Sequence, residues 1–566
     1  MSIVGPRVRA LGGVLLLAAT ACSGLSFLKA PAVPRPLGPH GTEEGPAPLA
    51  APLPATPDPR TDWGAYNNSY DGLRYSPLTR ITPATAASLQ PVCRFELHER
   101  AAMETGLVEV GGTIFVATPK NTYAFDAATC ALRWKHHYDY SPEPPFDLKV
   151  NRGVAYLDGR VFRGANDGRV YALDARTGKM LWNVVAGDPH VGETFPAAPV
   201  AWHGLVFIGN AGGDNFNVTG RMMAFDARTG QRIWTASLLP RSGPANFTWP
   251  PATEVFPKGG GATWTSYAID TAAGLVYVPT GNAAPDFLSN VRPGRNEHAY
   301  SVVALDAHTG LIRRTYQLLK HDFHDWDVAA PPALVTTRGG RRLIVEGGKD
   351  GHLYGIDPAS GEFAFKTPVA TIENADAPLT PEGTRYCPGV DGGVEWNGAA
   401  ISRETNLAYV PSIDWCSTVK IEPAQKLLGK TGIPWTGSAE LKHPFGTFDK
   451  TRRGWLTAVD LDDGRVAWRY ASPTPLVAGV TTTAGGVVMT GDLNGEFLVF
   501  DAHDGHEVYR YSTGQPIGGG VISYAVDGRQ YAAVAAGLDA PRTWQIESSP
   551  ATVVVFGLGA GGAPAP

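Results

Sequence analysis

Short segments in which apolar and polar residues alternate recur along most of the chain, and each leads into a turn signal. Residues 171–178 read Tyr-Ala-Leu-Asp-Ala-Arg-Thr-Gly, and a second segment containing Trp182 follows. An alternating run predicts a strand with one buried face. Asp accepts hydrogen bonds from the backbone of its own turn, and Gly takes a positive φ at no steric cost. The phrase therefore predicts a β-hairpin.

The hairpin phrase is an internal repeat. Similar copies occupy residues 123–130 and 223–230, each followed by a Trp, and degenerate copies surround Asp306, Asp357, Asp460 and Asp501. Successive Asp residues of the phrase are 48, 52, 80, 51, 103 and 41 residues apart, close to the period of four-stranded blades. Residues 268–277 and 400–409 read as hairpins that fill the two long gaps. The trailing Trp suits a wedge between sheets, which favours a closed β-propeller over the alternative, a solenoid.

Composition agrees with short strands rather than long helices, because 67 Gly and 47 Pro accompany 14 Trp and 20 Tyr. The formal net charge of -5 gives no electrostatic reason to expect nucleic acid or an anionic membrane surface as a partner.

The N-terminus reads as an export signal over residues 1–22. Arg7 and Arg9 precede an apolar run that is too short to span a bilayer. The run ends in Ala-Thr-Ala-Cys, which resembles a lipoprotein cleavage box, although Ala19 stands where Leu is usual. Lipidation of Cys22 and simple cleavage both stay open. We expect a Pro- and Ala-rich flexible linker over 23–60, a propeller over 61–557 and a flexible tail over 558–566.

The chain has five Cys, and four remain if Cys22 carries a lipid. An even number in an oxidising, periplasmic compartment leads to the hypothesis of two disulfides, Cys387 with Cys416 and Cys93 with Cys130. No pair has the spacing of a metal finger or of a haem-attachment motif.

Several phrases occur in a characteristic order: Asp-Trp-Gly-Ala-Tyr at 62–66, Arg-Tyr-Ser-Pro-Leu at 74–78, Val-Asn-Arg-Gly-Val-Ala-Tyr at 150–156 and Tyr-Ala-Val-Asp-Gly-Arg-Gln-Tyr at 524–531. With the repeats, they resemble the PQQ-dependent quinoprotein alcohol and sugar dehydrogenases over about residues 62–557. The resemblance implies an all-β, eight-bladed propeller of four-stranded antiparallel blades, closed by pairing N- and C-terminal strands. It also implies an oxidoreductase that transfers a hydride from an alcohol or sugar to a metal-bound quinone.

The resemblance extends to a PQQ pocket. Residues 259–264 read Gly-Gly-Gly-Ala-Thr-Trp and resemble the family segment whose indole is the floor under the quinone, which assigns that role to Trp264. The alternative makes Trp264 one more wedge between blades. The other implied cofactor contacts are Glu104, Arg152, Ala211, Gly212, Gly213, Lys349, Glu395 and Trp396.

The implied metal ligands are acidic and amide side chains. Residues 209–214 resemble a Gly-rich turn that ends in a carboxylate ligand, here Asp214 where the family usually has Glu. Asn282, in Thr-Gly-Asn, matches a ligand whose carbonyl oxygen suits Ca²⁺. Asp325 and Asp327 complete the predicted set, the latter at a position where some relatives carry an extra acid associated with lanthanide use. Ca²⁺ and a lanthanide both stay open.

Residues 321–327 read His-Asp-Phe-His-Asp-Trp-Asp and resemble the family's catalytic stretch. A reading without gaps makes Asp325 the base that accepts the hydroxyl proton. The family usually has Trp before this Asp and this chain has His324, so a shifted reading that selects Asp327 stays open. Lys349 matches the cation directed at the quinone oxygens, and we class it with Asp325 as catalytic.

Three departures leave the substrate open and argue against a standard methanol dehydrogenase. Phe146 and Asp147 stand where relatives have two adjacent Cys, Pro196 stands in place of a quinone-contacting Thr, and Glu395 replaces Asn. Because no Cys-x-x-Cys-His occurs, we expect electrons to pass to a separate acceptor, a cytochrome c or a membrane quinone.

Two alternatives to the enzyme remain. One is a non-catalytic propeller lipoprotein scaffold of the outer-membrane assembly type, which has the same repeats. The other is a quinoprotein that binds its cofactor without turnover. The acidic and Gly-rich clusters favour the enzyme, since a scaffold needs none of them.

Overall fold

The structure is a computed structural model that describes residues 37–47, 49, 51–140, 149–440 and 443–559. The predicted export signal with Cys22, much of the predicted linker, Phe146 and Asp147, and nearly all of the predicted tail lie outside the described residues.

Eight antiparallel sheets of four or more strands follow one another through the described part of the chain, and we call them blades 1 to 8. Their strands are, for blade 1, Val108–Val110, Thr113–Ala117, Asn121–Asp126 and Leu132–Tyr138; for blade 2, Ala155–Leu157, Arg160–Gly164, Arg169–Asp174 and Met180–Val185; for blade 3, Val200–Trp202, Leu205–Gly209, Arg221–Asp226 and Arg232–Ser237; for blade 4, Ala268–Asp270, Leu275–Pro279, Ser301–Asp306 and Ile312–Gln317; for blade 5, Ala333–Thr336, Arg342–Gly347, His352–Ile356 and Phe363–Pro368; for blade 6, Ala400–Ser402, Leu407–Asp414, Arg453–Asp460 and Val466–Ser472; for blade 7, Thr481–Thr483, Val487–Gly491, Glu496–Asp501 and Glu507–Ser512; and for blade 8, Val521–Val526, Arg529–Ala536, Pro550–Leu558 and Leu89–Arg100.

Short elements connect or extend the blades. Tyr75–Ser76 lies parallel to the first strand of blade 7. The remaining described strands are His40–Glu44, which joins blade 1, a pair, Gly259–Gly260 with Ala283–Ala284, and a three-stranded sheet, Thr384–Tyr386, Ser417–Val419 and Thr447–Phe448. The described helices are single turns: Ala86–Ser88, Pro189–Val191, Gly243–Asn246, Ser289–Val291, Ala424–Lys426 and Pro541–Trp544.

The propeller closes through blade 8, whose outermost strand comes from the N-terminal side of the chain. Leu89–Arg100 pairs antiparallel with Pro550–Leu558, and Leu89 lies opposite Leu558. A buried apolar cluster joins each blade to the next, including blade 8 to blade 1. The predicted eight-bladed closed propeller is therefore confirmed, and the solenoid alternative is excluded.

The repeat phrase acts across blade boundaries. Trp134 of blade 1 donates from Nε1 to the carbonyl of Ala175 in the turn of blade 2, at 2.9 Å. A Cβ at Gly178 of that turn would lie 2.6 Å from the same indole, so only Gly allows the contact. Equivalent bonds join Trp182 to Ala227, Trp234 to Ala307 and Trp468 to Ala502. The predicted wedge role of the trailing Trp is confirmed.

Both predicted disulfides are present. Cys93–Cys130 links the outer strand of blade 8 to the turn of blade 1, and Cys387–Cys416 closes a loop beside blade 6. In the chain-entropy account, closed loops of this size stabilise the folded state by about 3–4 kcal/mol each.

Part of the segment predicted as a flexible linker is a strand. His40–Glu44 pairs antiparallel with Leu132–Tyr138 as a fifth strand of blade 1. The hydroxyl of Thr42 donates to the carbonyl of Gly178 in blade 2, at 3.0 Å. The pairing uses backbone groups of an existing sheet edge, which a strand can bond without an apolar alternation of its own.

Candidate metal and cofactor site

The predicted site residues share one topological feature. Because the strands of each blade are antiparallel, the connections between them alternate between the two ends of the ring. One end carries the connections from the second to the third strand of each blade and from the fourth strand to the next blade. The other end carries the turns from the first to the second strand and from the third to the fourth. We call these the site end and the turn end. The site end carries Glu104, Arg152, Ala211, Gly212, Gly213, Asp214, Trp264, Asn282, Asp325, Asp327, Lys349, Glu395 and Trp396.

Three carboxylates converge at the site end. Oxygen atoms of Asp214, Asp286 and Asp325 all lie within 4.8 Å of one another. Asp286 and Asp325 are buried and Asp214 is half-buried. Asn282 lies beside Asp214, and its Nδ2 is buried without a hydrogen-bond partner among the described residues. Hard oxygen ligands at these spacings suit a cation, so the residues fit the metal ion that the family resemblance implies.

Burial and mutual repulsion raise the pKa values of the three carboxyl groups. Burial raises the pKa of Asp214 to about 6, and the charge of Asp327 adds to the effect. Burial also raises the pKa of Asp286 well above its usual value, with repulsion from Asp214 next in importance. Burial raises the pKa of Asp325 as well, although Lys349 opposes the shift. A cation bound among the three would reverse these shifts, because it favours the carboxylate forms.

Lys349 is the cation nearest to the base predicted from the sequence. Its Nζ lies 3.4 Å from Oδ2 of Asp325 and 3.8 Å from Oδ2 of Asp327, with all three side chains buried. Burial alone would favour the neutral amine, but Asp325, Glu395 and Asp327 outweigh it and raise the pKa of Lys349 well above its usual value. Lys349 therefore stays an ammonium ion at the centre of the site.

Asp327 joins the metal loop to the predicted cofactor floor. Its Oδ1 accepts from the backbone N–H of Asn282 at 2.5 Å, and its Oδ2 accepts from the indole of Trp264 at 3.1 Å. Asp327, which the sequence suggested as a ligand, lies beside Asn282 and Trp264, and the three-carboxylate cluster contains Asp286 in addition to the predicted Asp214 and Asp325.

Asp286 was not among the residues predicted from the sequence. The one available signal was an acid four residues after Asn282, between a Pro and a Phe.

Trp264 differs from the wedge tryptophans, because its indole bonds Asp327 rather than a turn carbonyl of the next blade. The guanidinium carbon of Arg152 lies 4.5 Å from the centroid of Trp264 and 5.2 Å from that of Trp396. Arg152 also forms a buried ion pair with Glu104, at 2.8 Å between Nη2 and Oε2. Two indoles and a buried guanidinium, whose Nε has no partner in the described structure, suit a flat anionic ligand.

Backbone turns bring the remaining predicted contacts close to this pocket. Gly212 has φ +90, and a Cβ there would lie 2.0 Å from the carbonyl of Gly192, so this turn requires Gly. Its neighbour Gly213 packs against Ala262, two residues before Trp264. Burial raises the pKa of Glu395 to about 8 and the pKa of Asp391 to about 6, with Lys349 opposing both shifts.

Within the described residues, every helix is too short or too polar to cross a membrane.

Comparison with known proteins gives a consistent result. The chain matches the family model described as PQQ, glucose/ethanol/alcohol dehydrogenase, beta-propeller domain, over residues 63–378 and 366–532. It is 31% identical over 538 residues to the alcohol dehydrogenase (quinone), dehydrogenase subunit, of Gluconacetobacter polyoxogenes, covering 84% of this chain and 71% of that protein. It is 29% identical over 526 residues to the lanthanide-dependent methanol dehydrogenase of Methylacidiphilum fumariolicum, covering 84% of each. The crystal structure of quinohemoprotein alcohol dehydrogenase from Comamonas testosteroni matches with a TM-score of 0.78 and 28% identity, covering 89% of this chain and 81% of that one.

Proposed function

The chain belongs to the PQQ β-propeller family of glucose, ethanol and alcohol dehydrogenases, and on that premise we propose that it oxidises an alcohol to the corresponding carbonyl compound. The observation that carries the proposal is the three-carboxylate cluster linked through Asp327 to the indole of Trp264. PQQ and a metal ion, when bound, supply the hydride acceptor and the Lewis acid that polarises it. The scaffold alternative is not supported, because it accounts for the repeats but not for the family match or the cluster.

We assign the metal to Asp214, Asn282 and Asp325, and the PQQ pocket to Trp264 with the Arg152–Glu104 pair. Arg152 is suited to a carboxylate of the cofactor, since its fork of donors can bind one bidentately. Glu395, with a pKa of about 8, is largely protonated at neutral pH and can donate a hydrogen bond where relatives have an amide.

Asp325 is the better candidate for the base. Its hydrogen bond from Lys349 is long, at 3.4 Å, whereas both oxygens of Asp327 already accept shorter bonds. The positive charge of Lys349 opposes the rise in the pKa of Asp325, and a bound cation would lower that pKa further. Asp325 then removes the hydroxyl proton as the C–H bond of the alcohol loses its hydride.

The surroundings of the reaction are also part of the proposal. We propose an exported, periplasmic protein, because residues 1–22 have the form of a signal and two disulfides suit an oxidising compartment. Lipidation at Cys22 would tether it to a membrane. A separate cytochrome c or membrane quinone would take the electrons, and Ca²⁺ or a lanthanide would be the metal.

The test is reconstitution of the purified chain with PQQ plus Ca²⁺ or plus a lanthanide, followed by a screen of alcohols and sugars with an artificial redox dye. We expect a bound-quinone absorbance band and substrate-dependent dye reduction. A protein that gains neither under any metal would contradict the proposed function. A protein that gains the band without dye reduction would be the binding-only quinoprotein.

A further inference from the structure

Asp286 is a buried carboxylate without a partner. It is 1% exposed, and neither of its oxygens has a hydrogen-bond partner among the described residues. Leaving a carboxylate in this state costs several kcal/mol, so such groups normally pair with a cation or take up a proton. Two other carboxylates, Asp214 and Asp325, each place an oxygen within 4.8 Å of an Asp286 oxygen. Asp286 therefore lies beside two like charges and accepts no hydrogen bond from a cationic side chain among the described residues.

The loop that carries Asp286 is fixed through its backbone. Arg292 donates from Nε to the carbonyl of Pro285 at 2.9 Å and from Nη2 to the carbonyls of Asp286 and Asp322, at 2.8 and 2.6 Å. The guanidinium thus bonds main-chain oxygens and Oδ1 of Asn296, and no ion pair joins it to the Asp286 carboxylate in the described structure. The backbone N–H of Phe287 donates to the carbonyl of Thr436 at 2.8 Å. The carboxylate is consequently held in the cluster without a hydrogen-bonded partner, and burial and repulsion from Asp214 outweigh the charges of Arg292 and Lys349 and raise its pKa well above the usual value.

The charge of the cluster discriminates between ions. Three carboxylates carry up to three negative charges, and the nearby Lys349 is shared between Asp325 and Asp327. At equal distances the Coulomb attraction grows in proportion to the charge of the ion, so a trivalent ion gains about half as much again as a divalent one. An ionised Asp286 adds one negative charge to the site, and this charge attracts a trivalent ion more strongly than a divalent one.

We infer that Asp286 is a ligand of the bound metal and that it shifts the preference of this site from Ca²⁺ towards trivalent lanthanide ions. This inference rests on the proposed function only for the position of the metal among Asp214, Asn282 and Asp325. The alternative is a carboxyl pair in which Asp286 and Asp214 share a proton and Asp286 does not contact the metal.

The test measures metal binding without turnover. Metal-free protein is titrated with Tb³⁺, whose luminescence is excited through nearby tryptophans, and Ca²⁺ is then used as a competitor. Asp286→Asn is compared with wild type and with Asp492→Asn. Asp492 is an equally buried acid with one unpartnered oxygen in the corresponding loop of blade 7, outside the cluster.

We expect Asp286→Asn to weaken Tb³⁺ binding by about tenfold or more and to weaken Ca²⁺ binding less, since even indirect partners of metal ligands affect affinity by about 10–100-fold. Luminescence decay in H₂O and D₂O should show about one additional coordinated water in Asp286→Ala, because one protein ligand is lost. Asp492→Asn should bind both ions as wild type does. Asp286→Glu, which keeps the charge, should retain the preference for Tb³⁺.

The possible results separate the inference from the proposed function. Unchanged Tb³⁺ and Ca²⁺ affinities in a folded Asp286→Asn protein would overturn the inference, and so would an equal loss of both. If wild type reduces dye with PQQ and metal while the Asp286 variants bind metal normally, the proposed function stands and the inference fails. If wild type binds neither ion in the presence or absence of PQQ, the metal site itself fails.

Discussion

The two ends of the propeller use the same residue type in opposite ways. At the turn end, Oδ1 of Asp306 accepts bonds from the backbone N–H and the hydroxyl of Thr309, at 3.0 and 2.8 Å. Together with a bond from Arg313, which is the largest contribution, these lower the pKa of Asp306 to about 2. At the site end, burial raises the pKa of Asp214 to about 6. The difference in pKa follows from the surroundings, since Asp306 is paired and hydrogen-bonded near solvent and Asp214 is buried beside other acids.

The two kinds of acid also affect folding stability in opposite directions. A turn-end acid is better stabilised as a carboxylate in the folded protein than in the unfolded chain, so it contributes to stability at neutral pH. Asp214 is worse stabilised as a carboxylate when the chain is folded, so it opposes folding at neutral pH in the absence of a ligand. The rest of the ring must compensate for it.

The largest effect should come from removing the proposed base. Asp325→Asn cannot accept the hydroxyl proton, and we expect dye reduction to fall by about 10²–10⁴-fold. Stability of the metal-free protein should fall, because the buried ammonium of Lys349 loses its partner at 3.4 Å and keeps only Asp327, at 3.8 Å, as an ion-pair partner among the described residues. Steady-state kinetics and thermal unfolding measure the two quantities. Asp306→Asn at the turn end is the control and should keep its activity. An Asp325→Asn enzyme at full rate would show that another group is the base.

Metal addition should stabilise the protein through the site end alone. At a free metal concentration of about 100 times Kd, linkage adds about 2.7 kcal/mol to the free energy of unfolding. We expect Asp214→Asn to lose most of this gain and Asp226→Asn, at a turn, to keep it. The gain in the free energy of unfolding is measured by chemical denaturation with and without metal, using whichever of Ca²⁺ and the lanthanide binds more tightly. Equal stabilisation of both variants would place the metal elsewhere.

The turn-end acids should matter for stability and not for chemistry. Asp226 accepts from the N–H and the hydroxyl of Thr229, at 2.8 and 2.7 Å. Asp226→Ala leaves these donors to solvent, and we expect a loss of about 1–2 kcal/mol in the free energy of unfolding. Reconstituted activity at 25 °C should stay near the wild-type level. A large fall in activity at full folding would contradict the division between the two ends.

The smallest effect is a difference in pH dependence between two single acids. The pKa of Asp391 is about 6 in the folded protein, above the value of about 3.9 for an unperturbed Asp, so its contribution to stability is lost as pH rises from about 4 to 6. Asp306, with a pKa of about 2, contributes stability that is present above about pH 4 and lost as pH falls. We expect Asp391→Asn to gain stability relative to wild type towards neutral pH.

Asp306→Asn should be less stable than wild type by a constant amount above about pH 4, and this difference should shrink as pH falls below about 4. Urea unfolding of the metal-free proteins between pH 3 and pH 8 measures both differences. Parallel curves for the two variants would show that the two ends do not differ in this way.

The parts of the molecule that depend on local chemistry were predictable from the sequence. The Asp-x-x-Thr-Gly turns bond to themselves, and the wedge Trp packs on the turn Gly of the next copy, so both could be inferred from the repeat. The place of Asp286 in the cluster was not predictable in this way, because it depends on the distance to Asp214, 72 positions earlier in the chain. The strand His40–Glu44 was missed for a similar reason, since its partner is a sheet edge formed elsewhere.

Closure through blade 8 has a consequence for biosynthesis. Thr552 donates from its hydroxyl to the carbonyl of Phe95, a contact between residues separated by 457 positions. Leu89–Arg100 therefore leaves the ribosome long before its partner strand exists, and it presents the unpaired edge on which aggregation begins. Cys93 and Cys130 are separated by only 37 positions, so in an oxidising compartment their bond can hold this strand against blade 1 before the ring closes. The ring can be completed only after synthesis of its final strand, Pro550–Leu558.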